Sequence, residues 1–152
     1  MARHGWDGYR PDMKISDVLR GKGTEVVTIR PDESVDRLLE VLAERGVGAL
    51  VVSADGESVV GIVSERDVVR HLHRHGAAVL SGPVSAIMTA EVTTCAADDA
   101  VESLAQTMTQ ERIRHVPVVA DGRLTAIVSI GDIVKHRISA LQSERDQLVE
   151  YI

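Results

Sequence analysis

Two serine–aspartate pairs, Ser64 with Asp67 and Ser129 with Asp132, have the spacing in this chain best suited to chemistry. In each pair the serine closes an apolar, strand-like run and the residues after it read as a helix. A helix start offers backbone N–H groups without intrahelical acceptors, together with the positive end of a dipole, and so suits a phosphate. A carboxylate accepts two hydroxyl hydrogen bonds and suits a vicinal diol. Arg66, Arg114 and His115 can supply charge-assisted bonds to an anion. The same spacing is also a variant capping box, in which serine and acid satisfy each other's backbone amides. The two roles are compatible, and the recurrence of the pair favours a ligand.

The other candidate groups point to less. His115 sits among apolar neighbours, Ile113 to Val119, where a polar ring needs a partner; Arg112 and Arg114 also read as a solvated basic edge. His71 and His75 share a helix face at i, i+4, with His73 between them. Nothing nearby completes a metal site, so no metal is expected and a helix end near its C-terminal dipole accounts for them. The chain has no Walker loop, GxGxxG, GxSxG or CxxC, and no base is placed beside either serine, so no catalytic role or catalytic cofactor is expected. Cys95 aligns with the apolar Ile29 and reads as core.

The elements that position these groups occur twice. Val26-Val27-Thr28 returns as Val92-Thr93-Thr94, and Asp32 as Asp98, each 66 residues later. Val35, Leu38, Leu39 and Leu42, one face of a helix, match Val101, Leu104, Ala105 and Met108. Val47-Gly48-Ala49-Leu50 matches Ile113-Arg114-His115-Val116, and the turn Asp55-Gly56 matches Asp121-Gly122. After that turn the offset drops to 65, aligning Gly61-Ile62-Val63-Ser64 with Ala126-Ile127-Val128-Ser129. Each copy therefore reads as strand, helix, strand, turn, strand, helix. Gly46 is the expected stop of the first helix. The runs Val47 to Val52 and Val59 to Val63 lack alternation and are expected to be buried on both faces. Gly76 and Gly82-Pro83 separate the copies. A last helix from about Asp132 towards Glu150 carries Val134, Ile138, Leu141, Leu148 and Ile152 as an apolar stripe, interrupted by Arg145. The stripe fits either its own module or a second copy of the chain; the helix outruns the repeat, which favours the second copy.

Bulk composition narrows the class. With 152 residues, 44% of them hydrophobic, the chain can bury one good core. No apolar run approaches the ~20 residues of a membrane span, and Met1 to Asp12 lacks the apolar block of a signal peptide. A single cysteine suits a reducing compartment, and a cytoplasmic location is expected. A net charge of −6, no Phe, and Trp6, Tyr9 and Tyr151 only near the ends argue against a nucleic-acid partner.

The duplicated pattern resembles the cystathionine-β-synthase (CBS) domain, a pair of which forms a Bateman module. The resemblance rests on Gly61-Ile62-Val63-Ser64-Glu65-Arg66-Asp67, Ile127-Val128-Ser129-Ile130-Gly131-Asp132 and Ile113-Arg114-His115-Val116-Pro117-Val118, and covers about Lys14 to Ile138. It is greatest to small bacterial stand-alone CBS pairs. It implies an α/β (α+β) fold of two β-α-β-β-α repeats with pseudo-twofold symmetry. The implied organisation is an extension over 1–12, repeats over 13–75 and 84–138, a linker over 76–83 and a helical extension over 139–152. It also implies an adenosine-nucleotide ligand (AMP, ADP, ATP or NAD), held through ribose by Asp67 and Asp132 and through phosphate by Ser64 and Ser129. The family pattern adds backbone at Val26 and Val27 for the Asp132 cleft and at Val92 and Thr93 for the Asp67 cleft. Gly48-Ala49 and Arg114-His115 then lie near the phosphates. Ala126 departs from Gly61, and Arg66 is replaced by Gly131, so unequal clefts are expected. The implied role is a regulatory sensor, a homodimer acting on a partner in trans; the alternative is a ligand-free structural dimer.

Overall fold

The computed structural model describes residues 13–22 and 26–150; Trp6, Tyr9, Tyr151 and Ile152 lie outside them. In chain order these residues form α1 (Ile15–Leu19), β1 (Thr28–Ile29), α2 (Val35–Arg45), β2 (Ala49–Val52), β3 (Gly61–Ser64) and α3 (Glu65–His75). Short 3-10 turns follow at Ala77–Ser81 and Val84–Ala86, then α4 (Val101–Glu111), β4 (His115–Ala120), β5 (Arg123–Ser129) and α5 (Ile130–Glu150). No helix among the described residues is long and apolar enough to cross a membrane.

The duplicated stripe forms the two helices it predicts. In α2, Val35, Leu38 and Leu42 are buried while Leu39 lies at the edge; in α4, Val101, Leu104 and Met108 are buried. Ser34 accepts the Arg37 amide at 3.1 Å at the start of α2, and Gly46 ends it at φ +63°. The equivalent stop of α4 is Arg112, held at φ +56°, a region costly for any residue with a Cβ. The two turns differ as well. Asp121 and Gly122, at φ +52° and +77°, make the two-residue hairpin turn between β4 and β5. The longer Asp55 turn is tied by its carboxylate, whose Oδ1 accepts the Glu57 and Ser58 amides and the Ser53 and Ser58 hydroxyls.

In the three-stranded sheet β1 runs parallel to β2, with Thr28 opposite Val51, and β2 runs antiparallel to β3, with Leu50 opposite Val63. All four residues of β2 are buried, as its unbroken apolar run requires. β3 differs from expectation: Gly61 and Val63 are buried but Ile62 and Ser64 only partly, because β3 is the edge of the sheet. The second copy lacks the expected first strand. Val92 to Thr94 have no strand structure, and pairing there is reduced to a single bridge residue, the buried Cys95, which aligns with Ile29 of β1. Burial, helped by the Asp99 carboxylate, pushes the Cys95 thiol up to about 11, as suits a core position.

The chain clusters into two compact units that do not follow the repeats. One holds residues 13–22, 95–115 and 128–150, the other residues 26–94 and 116–127. Residues 13–22 thus pack with α4 and α5, although the sequence reading groups them with the first copy. The packing is duplicated bond for bond. In the first unit the Val101 amide donates to the Met13 carbonyl, Ile15 to Asp99 and Ser16 to Ala97. In the second, Val35 donates to Gly82, Val84 to Glu33 and Ser85 to Pro31. Each short leader lies along the first helix of the opposite copy, burying Ile15 and Val18 in one unit and Val84 and Ile87 in the other. This also explains Gly61. A Cβ there would come within 2.7 Å of Met88 Sδ and 2.9 Å of the Thr89 carbonyl, because Ile62 and Thr89 exchange backbone bonds of 3.0 and 2.8 Å.

Candidate functional site

Each serine–aspartate pair closes on itself. At the start of α3 the Ser64 amide and hydroxyl donate to Asp67 Oδ2 at 2.8 and 3.1 Å, and the Asp67 amide donates to Ser64 Oγ at 3.3 Å. At the start of α5 the Ser129 amide donates to Asp132 Oδ2 at 2.9 Å and the Asp132 amide to Ser129 Oγ at 3.0 Å. Both are capping boxes. The first helical amide of each is taken by the preceding strand region: Glu65 donates to the Gly48 carbonyl at 3.0 Å and Ile130 to the Arg114 carbonyl at 2.9 Å. Among the described residues the next amide, of Arg66 or of Gly131, has no acceptor, and neither Asp67 nor Asp132 has any partner on Oδ1. Capping therefore uses one carboxylate oxygen and leaves the other, with one outward amide beside it.

The fold brings Gly48, Ala49, Ser64, Arg66 and Asp67 together in one unit, with Ala49 paired opposite Ser64. It brings Arg114, His115, Ser129, Gly131 and Asp132 together in the other. Val92 and Thr93 share the Asp67 unit, half-buried and without regular structure; Val26 and Val27, also half-buried, precede β1 and fall in the unit that does not contain Asp132. Arg66 and Arg114 are exposed and His115 is half-buried. The rings of His71 and His75 stack at 5.9 Å, and among the described residues no three His, Cys, Asp or Glu side chains gather as metal ligands would.

Of the residues outside the sequence-derived set, Lys22 belongs to the Asp132 site and Lys135 lies beside Gly131. Lys22 Nζ donates to Asp132 Oδ2 at 2.5 Å, both side chains being only partly exposed. Burial alone would push the Asp132 carboxyl up, but the Lys22 bond and the Ser129 amide outweigh it and hold the group below its ordinary value. Lys135 joins Arg114, Gly131, Val134 and Ile138 around an open depression of about 650 Å³ along α5. Lys135 is legible in the sequence, one helical turn beyond Gly131. Lys22 is not, because it lies 110 residues from its partner.

The CBS-domain profile matches residues 15–74 and again 84–139, most of the chain. The chain belongs to the CBS-domain family. Among its CBS relatives, the mitochondrial CBS domain-containing protein CBSX3 of Arabidopsis thaliana is 35% identical over 146 residues, 91% of this chain and 71% of that one. The CBS-domain containing protein ATU1752 from Agrobacterium tumefaciens superposes with a TM-score of 0.79 at 44% identity, covering 82% of this chain and 99% of that one. The CBS domain pair of protein MJ0100, solved in complex with 5′-methylthioadenosine and S-adenosyl-L-methionine, gives a TM-score of 0.72 at 25% identity over 82% and 95% of the two chains. The resemblance seen in the sequence thus holds, as does the mixed α/β architecture of two CBS repeats.

Proposed function

We propose that this CBS pair is a non-catalytic regulatory module that binds an adenosine ligand at two unequal sites, one at the start of α3 and one at the start of α5. The observation that carries the reading is the second carboxylate oxygen: after each capping box is complete, Oδ1 of Asp67 and of Asp132 has no partner among the described residues. An acceptor left over beside a helix start suits the two hydroxyls of a ribose. The amides of Arg66 and Gly131, with Ser64 and Ser129, suit a phosphate. The ligands of the MJ0100 pair share adenosine and lack a phosphate, so adenosine is the common element and AMP, ADP, ATP or NAD the phosphorylated candidates. Val92 and Thr93, in the same unit as Asp67, would lie against the adenine of the Asp67 site.

In this reading the protein is cytoplasmic and works as a homodimer through α5, where Val134, Ile138, Leu141 and Leu148 are about half exposed or more. Ligand binding alters what a partner protein meets, and by linkage that partner alters ligand affinity to the same degree. The same exposed stripe supports a second reading, a dimeric scaffold without a ligand.

Thermal melting with AMP, ATP, NAD and S-adenosylmethionine separates the two. A ligand at about one hundred times its Kd adds about 2.7 kcal/mol, several degrees for a chain of this size. Stabilisation by at least one of these ligands is the expected result. No shift with any of them, at millimolar concentration, would leave the scaffold.

A further inference from the structure

The two leaders, residues 15–20 and 84–89, make equivalent backbone bonds, and Val26 aligns with Val92. Between those points the first copy has Gly21-Lys22-Gly23-Thr24-Glu25, where the second has only Ala90-Glu91. Lys22 therefore comes from an insertion with no counterpart in the other copy. Its ammonium group reaches Asp132, while Asp67 has no cation on its carboxylate among the described residues. The positions around the helix starts amplify the contrast. At α5, Lys22 pairs with Asp132, the uncharged Ile130 and Gly131 hold the first helical positions, and Arg114 and Lys135 line the depression beside Gly131. At α3 the aligned residues are Glu65, Arg66, Asp67 and Arg70, which cancel, and Gly48 stands where Arg114 does.

A phosphate brought beside an unpaired carboxylate meets repulsion, and one brought beside a neutralised carboxylate with cations to spare does not. We infer that Lys22 is the specificity-determining residue of the Asp132 site, making it select adenosine ligands that carry several phosphate charges, while the Asp67 site takes ligands of low charge. Lys22 leaves Asp132 Oδ1 open for ribose and cancels the charge that would oppose the phosphates. This rests on the reading that Asp132 holds the ribose.

The test is calorimetric titration of the full chain carrying Asp67→Ala, so that the Asp132 site is measured alone, with adenosine, AMP and ATP. Affinity should rise with phosphate number. Lys22→Met should lower the ratio of ATP to adenosine affinity about tenfold, the loss of one charge-assisted contribution, while Lys22→Arg keeps the ratio. Lys22→Gln keeps a hydrogen-bond donor for Asp132 and loses the charge. It is the second variant should Lys22→Met fail to fold, and it must move the ratio the same way. A fall of about threefold or more supports the assignment; a smaller fall, or a rise, overturns it and leaves the nucleotide reading intact. Failure of the parent chain to bind any of the three overturns both.

Discussion

At the start of α3 the second donor to the aspartate is the hydroxyl of its own cap, Ser64, at 3.1 Å; at the start of α5 it is Lys22, at 2.5 Å and from the other end of the chain. The backbone around the two positions is otherwise repeated, down to the strand-region carbonyl that accepts the first helical amide, from Gly48 in one case and Arg114 in the other. Duplication has kept the frame, because backbone amides must be satisfied in the same way in both copies. The side chains on that frame were free to diverge in charge. What distinguishes the two sites is therefore carried by a few residues that the frame does not need, Lys22 and Arg114 on one side, Glu65 and Arg66 on the other.

The frame itself is not perfectly even, and its unevenness gives the strongest test of the comparison. Gly61→Ala should cost about 1–3 kcal/mol, since its Cβ would meet the Thr89 carbonyl, a backbone group that cannot swing aside. The reverse change in the other copy, Ala126→Gly, should cost only about 0.5–1 kcal/mol, the usual penalty of glycine in a strand. Chemical denaturation of both variants measures the difference. Equal losses would mean that the Met88–Thr89 crossing does not constrain β3.

A smaller effect of opposite sign is expected at the helix stops. Gly46 and Arg112 both have positive φ, but only Gly46 adopts that conformation without a Cβ clash. Arg112→Gly should stabilise the protein by about 1 kcal/mol and Gly46→Ala should destabilise it by a similar amount. Melting curves would show shifts of about 2–4 °C in opposite directions. Shifts of the same sign would show that Arg112 is held in place by something other than local geometry.

Much of this frame could be read from the residues. The stripes of α2 and α4, the Gly46 stop, the two Asp-Gly turns and both serine–aspartate caps follow from spacing that recurs in register, where side-chain periodicity and cap chemistry are local. The exchange of leaders could not be read in this way. Its signal, Ile15-Ser16-Asp17-Val18-Leu19 against Val84-Ser85-Ala86-Ile87-Met88, lies out of the 66-residue register because of the insertion that contains Lys22. The missing strand at Val92 to Thr94 has another cause. Pairing is a tertiary property, and Val92-Thr93-Thr94-Cys95 is also less apolar than Val26-Val27-Thr28-Ile29, so the second copy keeps only a bridge at Cys95. Lys22–Asp132 is non-local in the same sense: sequence places each charge, and only the fold places them together.

The most direct test of the account is the number of AMP molecules retained per chain in equilibrium dialysis, compared for the unmodified protein, Asp67→Ala and Asp132→Ala. Two sites built on two carboxylates predict that each substitution removes one bound nucleotide and leaves the other, while the loss of each capping box costs about 1 kcal/mol of stability. Unchanged stoichiometry in both variants would contradict the account, and would reduce Asp67 and Asp132 to helix caps.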